Sequence, residues 1–360
     1  MTILFAPLTI EGTTFRNRLW VSPMCQYSAV DGMPQEWHHV HLAQFATGGA
    51  GLVMAEATAV TSEGRISPDD TGLWNDAQRE AWTPIVAAIH ARGATAGVQL
   101  AHAGRKASTW PPFAAQRGSV PAAQGGWQTV APSAIAYEGL EAPVELDHAG
   151  IAHVIGSFAA AAVRAAQAGF DVLEIHAAHG YLLHQFLSPL SNTRTDGYGG
   201  DLAGRARLLL EVVDAVRDSL RDAGSHALVF VRLSATDSAD GGWDLAQTTT
   251  VARWAADHGA VLFDISSGGL VAHQRIEIGP GYQVPFSSEV RREAGVRTSA
   301  VGLIGEAAHA ELILADGDAD AVMAGREWLR DPHFALRASS ELGVDIDYWP
   351  PQYLRARPQR

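Results

Sequence analysis

The sequence predicts a single-domain (β/α)8 TIM barrel of the α/β class. Eight short apolar runs that are typical of strands alternate with amphipathic segments that are typical of helices, as in parallel α/β folds. A chain of 360 residues with 47% apolar content is long enough to bury one large core. Polar residues that suggest chemistry repeatedly follow the strand-like runs, where the functional face of such a barrel lies.

The elements are predicted in chain order from the spacing of their apolar residues. Residues 5–15 form an N-terminal hairpin-like piece. The strands are predicted at residues 19–22, 51–56, 95–100, 172–175, 228–233, 262–265, 300–302 and 321–323. Apolar residues at helical spacing predict helices at 78–91, 149–168, 204–220, 245–257 and 306–314. No repeat and no serine- or proline-rich linker divides the chain, so residues 1–360 are predicted to form one domain.

The segment after the third strand, residues 101–146, does not fit a plain connection. It is rich in proline, glycine and tryptophan and shows neither helical nor strand periodicity. A long irregular segment in a compact domain is usually a lid or a binding loop. We therefore expect it to cap the barrel.

Charge and composition limit the classes of partner and location. The net charge is -13 and the basic residues form no cluster, which disfavours nucleic acid and anionic membranes. The alanine-rich segment at 158–163 falls short of the roughly 20 apolar residues that a membrane helix needs. The first residues lack the features of a signal peptide, and a single cysteine excludes an intramolecular disulfide and a four-cysteine iron–sulfur cluster. We expect a cytoplasmic protein.

The stretch EIHAAHGYLLHQFLSPLSNTRTDGYGG, residues 174–200, is the strongest indication of chemistry. It places His176, His179 and Tyr181 directly after the fourth strand. Two imidazoles can donate to one developing oxyanion and a nearby phenol can deliver a proton, which suits the reduction of an activated double bond. The same HxxH spacing also fits a structural pair or two metal ligands, so the residues alone leave these readings open.

Other suggestive residues follow the remaining strands. Arg232 lies near the end of strand five, and Gln99 and Lys106 bracket the end of strand three. Glycine-containing turns after the last two strands expose backbone N–H groups, and such turns commonly bind a phosphate, so a phosphorylated cofactor is expected. The residues after strands one, two, seven and eight are Pro23, Met24, Cys25 and Tyr27, then Ala57, then Gly302, and finally Gly325 and Arg326.

Five motifs in order, SPMCQYS, QLAHAGRKA, the 174–200 stretch, GLI and GREWLRDP, resemble the Old Yellow Enzyme family of FMN-dependent ene-reductases. The cysteine of SPMCQYS and the tail PPQYLR resemble the thermophilic-like branch of that family, which also holds the xenobiotic reductases. The shared order of these motifs on successive strands covers nearly the whole chain.

The resemblance implies a noncovalent FMN over the barrel mouth. Its phosphate would be held by Gly302, Gly325 and Arg326, and its ring system would be lined by Pro23, Met24, Cys25 and Ala57. Gln99 would bind the pyrimidine edge, and Arg232 would lie near N1 and O2, where reduced flavin gains negative charge. His176 and His179 would bind the substrate oxygen, Tyr181 would donate the proton, and no metal is implied.

The reaction implied by the resemblance is a hydride relay in two stages. NADH or NADPH would reduce FMN and leave, and an α,β-unsaturated carbonyl compound or nitroalkene would then take the hydride at its β-carbon and a proton from Tyr181. One alternative is a flavin-binding protein without turnover. A less favoured one is a barrel metallohydrolase using His176 and His179, which would need further ligands and would place Arg232 and Lys106 near a cation.

Two rare residues and the tail complete the predicted site. Lys106 is the sole lysine and Cys25 the sole cysteine, and both lie inside the matched motifs. Tyr27, Lys106 and Arg355 are predicted to contact the substrate. In the resembled branch, the arginine that Arg355 matches enters the active site of a neighbouring subunit. The tail, residues 345–360, is therefore expected to dock on another copy, in a homodimer or an assembly of dimers.

Overall fold

A computed structural model describes residues 2–358, so residues 359–360 of the predicted tail lie outside the described part. Strands β1 (Leu8–Ile10) and β2 (Thr13–Phe15) form the predicted hairpin. The barrel begins with β3 (Leu19–Val21), β4 (Leu52–Ala59) and β5 (Thr95–Ala101). A short parallel pair, β6 (Val130–Ala131) and β7 (Val144–Glu145), follows in the long segment. The other barrel strands are β8 (Val172–Ala177), β9 (Leu228–Ser234), β10 (Leu262–Ser266), β11 (Thr298–Ala300) and β12 (Ala321–Ala324).

The eight strands form a closed parallel barrel in the order β10-β11-β12-β3-β4-β5-β8-β9, as the sequence predicts. Helices surround it. They are α1 (Glu36–Thr47), α2 (Asp76–His90), α3 (His148–Ala168), α4 (Leu182–Leu187), α5 (Leu202–Asp222), α6 (Leu245–Asp257), α7 (Val284–Ala294), α8 (Ala307–Ala315), α9 (Arg326–Arg330) and α10 (Phe334–Glu341).

Side-chain caps set where the long helices begin. The side chains of Asn75, Asp147, Asp201 and Asp244 each accept the backbone N–H three residues ahead, at the start of α2, α3, α5 and α6. Such a cap satisfies one of the free N–H groups of the first turn. The predicted starts of α2 and α5 are two residues late, because the apolar spacing alone does not reveal the capped first turn.

The bounds of the seventh strand differ from the prediction, and the structure has more helices than were predicted. Strand β11 covers Thr298–Ala300 instead of 300–302, because its polar side chains are buried with partners: Thr298 accepts from Ser287 at 3.0 Å and Ser299 donates to Asp264 at 3.1 Å. Five helices lie outside the predicted helical ranges: α1, α4, α7, α9 and α10. Helix α1 buries His38 and His41 among its apolar residues, so its apolar spacing is weak.

Helix α3 begins one residue before the predicted helix at 149–168 and includes the alanine-rich segment at 158–163. It has 21 residues and, by length and composition, is long and apolar enough to cross a membrane, which corrects the sequence expectation. Its N-cap Asp147 and the left-handed Gly169 after its last residue mark its ends. One face packs against the barrel, α2 and α5, with seven buried residues: Ile151, Val154, Phe158, Ala161, Ala162, Ala165 and Ala168.

The barrel interior changes from apolar to polar along the strand direction. At the N-terminal end, Trp20 stacks on Phe230 with ring centroids 6.1 Å apart, and Phe15 from the hairpin lies 4.7 Å from Trp20. Side chains two residues apart in a strand share one face. Arg232 therefore follows Phe230 into the interior, one layer closer to the C-terminal ends of the strands. The hairpin closes the apolar end and leaves the polar end for a site.

The long segment between β5 and α3 is irregular, as predicted, and it is anchored from another part of the chain. The guanidinium of Arg194 donates to the carbonyl oxygens of Pro132 at 3.0 Å and Leu146 at 2.6 Å, and pairs with Asp196. Arg194 belongs to the 174–200 stretch that also carries the histidines. The base of the capping segment is thus attached to the loop that follows β8.

The first part of the tail packs on its own barrel. The Tyr348 hydroxyl accepts from Asn17 Nδ2 at 2.9 Å, and the Arg16 guanidinium lies 4.5 Å from the Tyr348 ring centroid. A 3-10 turn, Pro351–Ala356, follows, although the sequence showed no helical spacing there. Arg355 is exposed on this turn.

We predict that the aromatic cluster of Phe15, Trp20 and Phe230 at the N-terminal end stabilises the whole barrel. Trp20→Ala is expected to lower the free energy of unfolding by about 3–5 kcal/mol, because it removes a fully buried indole and leaves a cavity. The matched control is Trp37→Ala, since Trp37 is 55% exposed on α1 and its loss should cost about 0.5 kcal/mol. Denaturant unfolding followed by circular dichroism measures both variants. Equal losses of unfolding free energy in the two variants would contradict the stabilising role of this aromatic cluster.

Candidate active site

His176 and His179 converge at the C-terminal end of β8. His176 is the second-to-last residue of the strand, and His179 has a left-handed backbone with φ of 57°. Nδ1 of His179 lies 3.4 Å from Nε2 of His176, and the rings are nearly perpendicular at 80°. A left-handed conformation is uncommon outside glycine and favours a position held by its surroundings. The turn folds the second imidazole back over the first.

Two serines on neighbouring strands orient His179. Its Nε2 lies 2.7 Å from Oγ of Ser266, and its backbone N–H donates to Oγ of Ser234 at 2.9 Å. The Ser234 hydroxyl donates in turn to the carbonyl oxygen of Gly268. The sequence analysis missed both serines. Their signal was their position, because each is the last residue of its strand, β9 or β10.

Both imidazoles are held neutral. Burial lowers the pKa of His176 and His179 well below the ordinary value, and the nearby cations Arg232 and Lys106 lower it further. A neutral imidazole donates from one nitrogen only. Nδ1 of His176 is buried and has no partner within the described chain. The pair can thus offer N–H groups to an oxygen without itself carrying charge.

Tyr181 lies beside the pair. Its ring centroid is 5.0 Å from that of His176, and its surroundings include Cys25, Tyr27 and Ala57. Burial raises the pKa of the Tyr181 phenol well above its ordinary value. The hydroxyl therefore keeps its proton at neutral pH, as a general acid must before it acts.

Lys106 lies at the end of a short 3-10 turn after β5, and its ammonium group points into the structure. Nζ donates to the carbonyl oxygens of His179 and Gly269, each at 2.8 Å. Burial lowers the pKa of Lys106 to about 8. These contacts are with the backbone, and the predicted contact with a substrate stays a prediction.

A charged layer lies inside the barrel below the histidines. Nε of Arg232 is 2.9 Å from Oδ2 of Asp264, and both side chains are buried. Gln99 Nε2 donates to Oε1 of Glu174 at 2.7 Å. Burial and the neighbouring Asp264 raise the pKa of Glu174 to about 8, with Arg232 and Gln99 opposing that shift. Arg232 and Gln99 thus come together as predicted, with Glu174 and Asp264 as partners that the sequence analysis missed.

The ends of β3 and β4 form another wall of the site. Pro23, Met24 and Cys25 are half-buried just after β3, and burial raises the pKa of the Cys25 thiol well above its ordinary value. Ala57 follows a β-bulge at Glu56, where β4 has one residue more than β5. The Glu56 carboxylate accepts the Gln26 N–H at 2.8 Å and lies 3.0 Å from Nε2 of His38, so it fixes the chain after Cys25.

Tyr27 lies on the same wall. It has a left-handed backbone with φ of 50°. Burial raises the pKa of its phenol, and its ring meets that of Phe113 edge to face at 6.0 Å. Phe113 belongs to the long segment, so that segment reaches the predicted substrate side of the site.

The last two strands end at a cavity of about 180 Å³. Gly302 has φ of 138°, and a Cβ there would lie 3.2 Å from the Tyr282 ring. A Cβ on Gly325 would lie 3.4 Å from Sδ of Met24. The cavity is lined by Arg232, Gln283, Gly302, Gly325, Arg326, Glu327 and Arg330, among others.

The charges around this cavity suit an anion. The Glu327 carboxylate is paired with Arg330 at 2.8 Å and with Arg337 at 2.7 Å, so it does not oppose the exposed Arg326. The backbone at Gly302 and Gly325, the exposed guanidinium of Arg326 and the buried Arg232 at the inner end fit a group that carries a phosphate and a polar ring. The residues present therefore fit FMN.

Two predicted features are not assembled here. Arg355 is exposed on the tail turn and does not line the cavity. Within residues 2–358, the histidine, cysteine and acidic side chains form no group of three that could hold a metal ion. His179 is instead engaged by Ser266 and Ser234, which gives no support to the metallohydrolase reading.

Comparisons with known proteins agree with this geometry. The family model described as "NADH:flavin oxidoreductase / NADH oxidase family" matches residues 3–344. An NADPH dehydrogenase of Listeria monocytogenes is 46% identical over 359 residues, which covers 99% of each chain. Morphinone reductase in complex with tetrahydroNAD superposes with a TM-score of 0.77 at 28% identity, covering 97% of this chain and 93% of the other.

A structure of an old yellow enzyme homologue from Zymomonas mobilis superposes with a TM-score of 0.77 at 28% identity and covers 99% of both chains. The resemblance drawn from the five motifs is confirmed, as are FMN and a nicotinamide cofactor. The chain belongs to the NADH:flavin oxidoreductase / NADH oxidase family, the family of Old Yellow Enzyme.

Proposed function

We propose that this flavin oxidoreductase reduces the activated C=C bond of α,β-unsaturated carbonyl compounds or nitroalkenes with hydride from NADPH or NADH. The observation that carries the proposal is the convergence of two neutral imidazoles and a protonated phenol at the end of β8. An oxygen-binding pair beside a proton donor is what polarisation and protonation of such an alkene require.

Noncovalent FMN, when bound, supplies the hydride chemistry. Gly302, Gly325 and Arg326 would hold its phosphate, and Gln99 and Arg232 its polar ring edge. The remaining wall consists of Pro23, Met24, Cys25 and Ala57. Nε of Arg232 lies 2.9 Å from Oδ2 of Asp264, and a cation fixed at that place would stabilise negative charge on the reduced cofactor.

His176 and His179 would bind the activating oxygen of the substrate. Because burial keeps both rings neutral, each contributes an N–H donor, and charge that develops on the oxygen is stabilised by donors already in place. Tyr181 would then deliver its proton to the α-carbon, while Tyr27 lines the substrate side. The long segment around Phe113 would limit the access of water to this wall.

A flavin-binding protein without alkene turnover is the remaining alternative. It would use the same cofactor contacts, but it would have no need for a buried phenol beside an oxygen-binding pair. Anaerobic addition of NAD(P)H to the purified yellow protein separates the two. Bleaching of the flavin spectrum followed by recovery with cyclohexenone supports the proposal, and bleaching that no activated alkene reverses would leave only the alternative.

We also propose a homodimer, or an assembly of dimers, in the cytoplasm, with Arg355 entering the site of a neighbouring copy. The exposed turn Pro351–Ala356 leaves Arg355, Tyr353 and Leu354 on the surface of the single chain. The hydrogen bond between Asn17 and Tyr348 attaches the chain just before this turn to the barrel, which would restrict the orientation of the turn.

The first prediction for this site concerns the proton donor. Tyr181→Phe should retain FMN and its reduction by NAD(P)H, and should slow cyclohexenone reduction about 100- to 10,000-fold, the usual contribution of a general acid. Stopped-flow measurement of the two half-reactions tests this. Tyr198→Phe serves as the control, since Tyr198 lies on the loop before α5 and donates to Glu211 there. Unchanged alkene reduction in Tyr181→Phe would remove Tyr181 from this role.

The histidine pair should also bind phenolates. Para-substituted phenols are expected to produce a long-wavelength charge-transfer band with the oxidised flavoprotein, because two N–H donors face one oxygen. His176→Ala should weaken phenol binding about tenfold or more, the loss expected for a hydrogen bond to a charged group. His90→Ala, a partly exposed histidine paired with Asp171, is the control. Phenol affinity that is the same in His176→Ala, His179→Ala and the parent would refute the oxygen-binding site.

The last prediction for this site concerns whether the tail carries Arg355 into the site of a neighbouring copy. Arg355→Ala should raise KM for cyclohexenone without changing FMN content, and removal of residues 348–360 should lower the mass in solution measured by light scattering. Arg221→Ala, an exposed arginine on α5, is the charge-matched control. A truncated protein with the parent's mass and kinetics would show that the tail does not complete a neighbour's site.

A further inference from the structure

The only lysine of the chain is used inside the molecule. Lys106 ends the 3-10 turn Gly104–Lys106 after β5, and its ammonium group donates to the carbonyl oxygens of His179 and Gly269, each at 2.8 Å. These carbonyls belong to the loops that follow β8 and β10. The Lys106 side chain therefore connects the loops that follow β5, β8 and β10 at the C-terminal end of the barrel.

The loops that follow β8 and β10 pack so closely that neither Gly180 nor Gly269 has space for a side chain. A Cβ on Gly269 would lie 2.6 Å from backbone atoms of His179, and a Cβ on Gly180 would lie 2.2 Å from the carbonyl oxygen of Gly269. His179 itself is left-handed, with φ of 57°. Two carbonyl oxygens aimed at one point repel each other, and a compact cation with several N–H donors removes that repulsion.

The same ammonium group lies between two aromatic rings. Its Nζ is 5.0 Å from the ring centroid of Tyr181 and 5.0 Å from that of Tyr137. Both distances are within the range of cation–π attraction. Tyr137 belongs to the long capping segment, so Lys106 also connects that segment to the site.

We propose that Lys106 is a positioning residue: it holds the backbone of His179 against Gly269 so that the His179 imidazole faces the substrate oxygen beside His176. This inference rests on the function proposed above and assigns Lys106 a role that acts through His179 instead of through contact with the substrate. The ammonium group also adds positive potential at the place where negative charge develops on that oxygen.

The first test needs no variant and no flavin turnover. Protein labelled with 15N-lysine should give one Nζ signal, because the chain has one lysine. The buried ammonium group should titrate at about pH 8. An exposed lysine would titrate near about 10.4. An Nζ signal that matches free lysine in chemical shift and in the rate of proton exchange with water would show that Nζ does not donate to the two carbonyl oxygens, and would overturn the proposal whether or not the protein reduces alkenes.

The second test measures oxygen binding. Lys106→Met keeps the length of the side chain and removes its charge, and we expect it to retain FMN while phenol affinity, measured by the charge-transfer band, falls about 10- to 100-fold. Arg117→Met is the matched control, because Arg117 is an exposed cation in the same long segment and donates to the nearby carbonyl oxygens of Ala114 and Gln116. Unchanged phenol affinity in Lys106→Met would overturn the proposal.

A third variant protects the test against a folding defect. If Lys106→Met does not bind FMN, the same titration is made with Lys106→Arg, whose planar guanidinium keeps the charge but does not reproduce the compact ammonium group. Lower phenol affinity in Lys106→Arg supports the positioning role, and parent-like affinity overturns it. Absence of alkene turnover in the parent would instead refute the proposed function, while the 15N titration would still report the position of Lys106.

Discussion

The close pairing of Arg232 with Asp264 inside the barrel is the contact on which the rest of the site depends. Nε of Arg232 is 2.9 Å from Oδ2 of Asp264, and both side chains are buried, so each charge needs the other because a buried charge is costly unless an opposite charge lies beside it. Glu174 lies in the same layer, with a pKa raised to about 8, and is bound to Gln99. Glu174 is therefore largely protonated near pH 7, which leaves Asp264 as the carboxylate beside Arg232.

The protonation states of the site follow from this arrangement. Burial and the cations Arg232 and Lys106 lower the pKa of both histidines, while burial raises the pKa of Tyr181. The three groups are consequently neutral near pH 7, with N–H and O–H donors available. Neutral donors already in position stabilise developing negative charge without rearrangement, which is the main contribution of many active sites to catalysis.

Backbone strain is concentrated at the same end of the barrel. Five non-glycine residues with left-handed backbone follow the barrel strands β3, β5, β8, β9 and β11 within seven residues: Tyr27, Ser108, His179, Ser238 and Leu303. Such conformations cost about 1–3 kcal/mol each and persist where the surroundings hold them. Around His179 these surroundings are visible: Ser234 and Ser266 bind its N–H and ring, and Lys106 binds its carbonyl oxygen.

The amino-acid sequence predicts the barrel, all eight strands to within three residues, and the motif residues His176, His179, Tyr181 and Arg232. Period and composition carry that information, because side chains that face the core recur at the spacing of their element. The bounds of β11 and the partners Ser266, Asp264 and Glu174 needed the tertiary structure. They are polar residues buried with a partner distant in the chain, and local spacing cannot reveal such a partner. The contacts of Lys106 were decided in the same way, because the two carbonyl oxygens it holds meet only when three loops come together over the closed barrel.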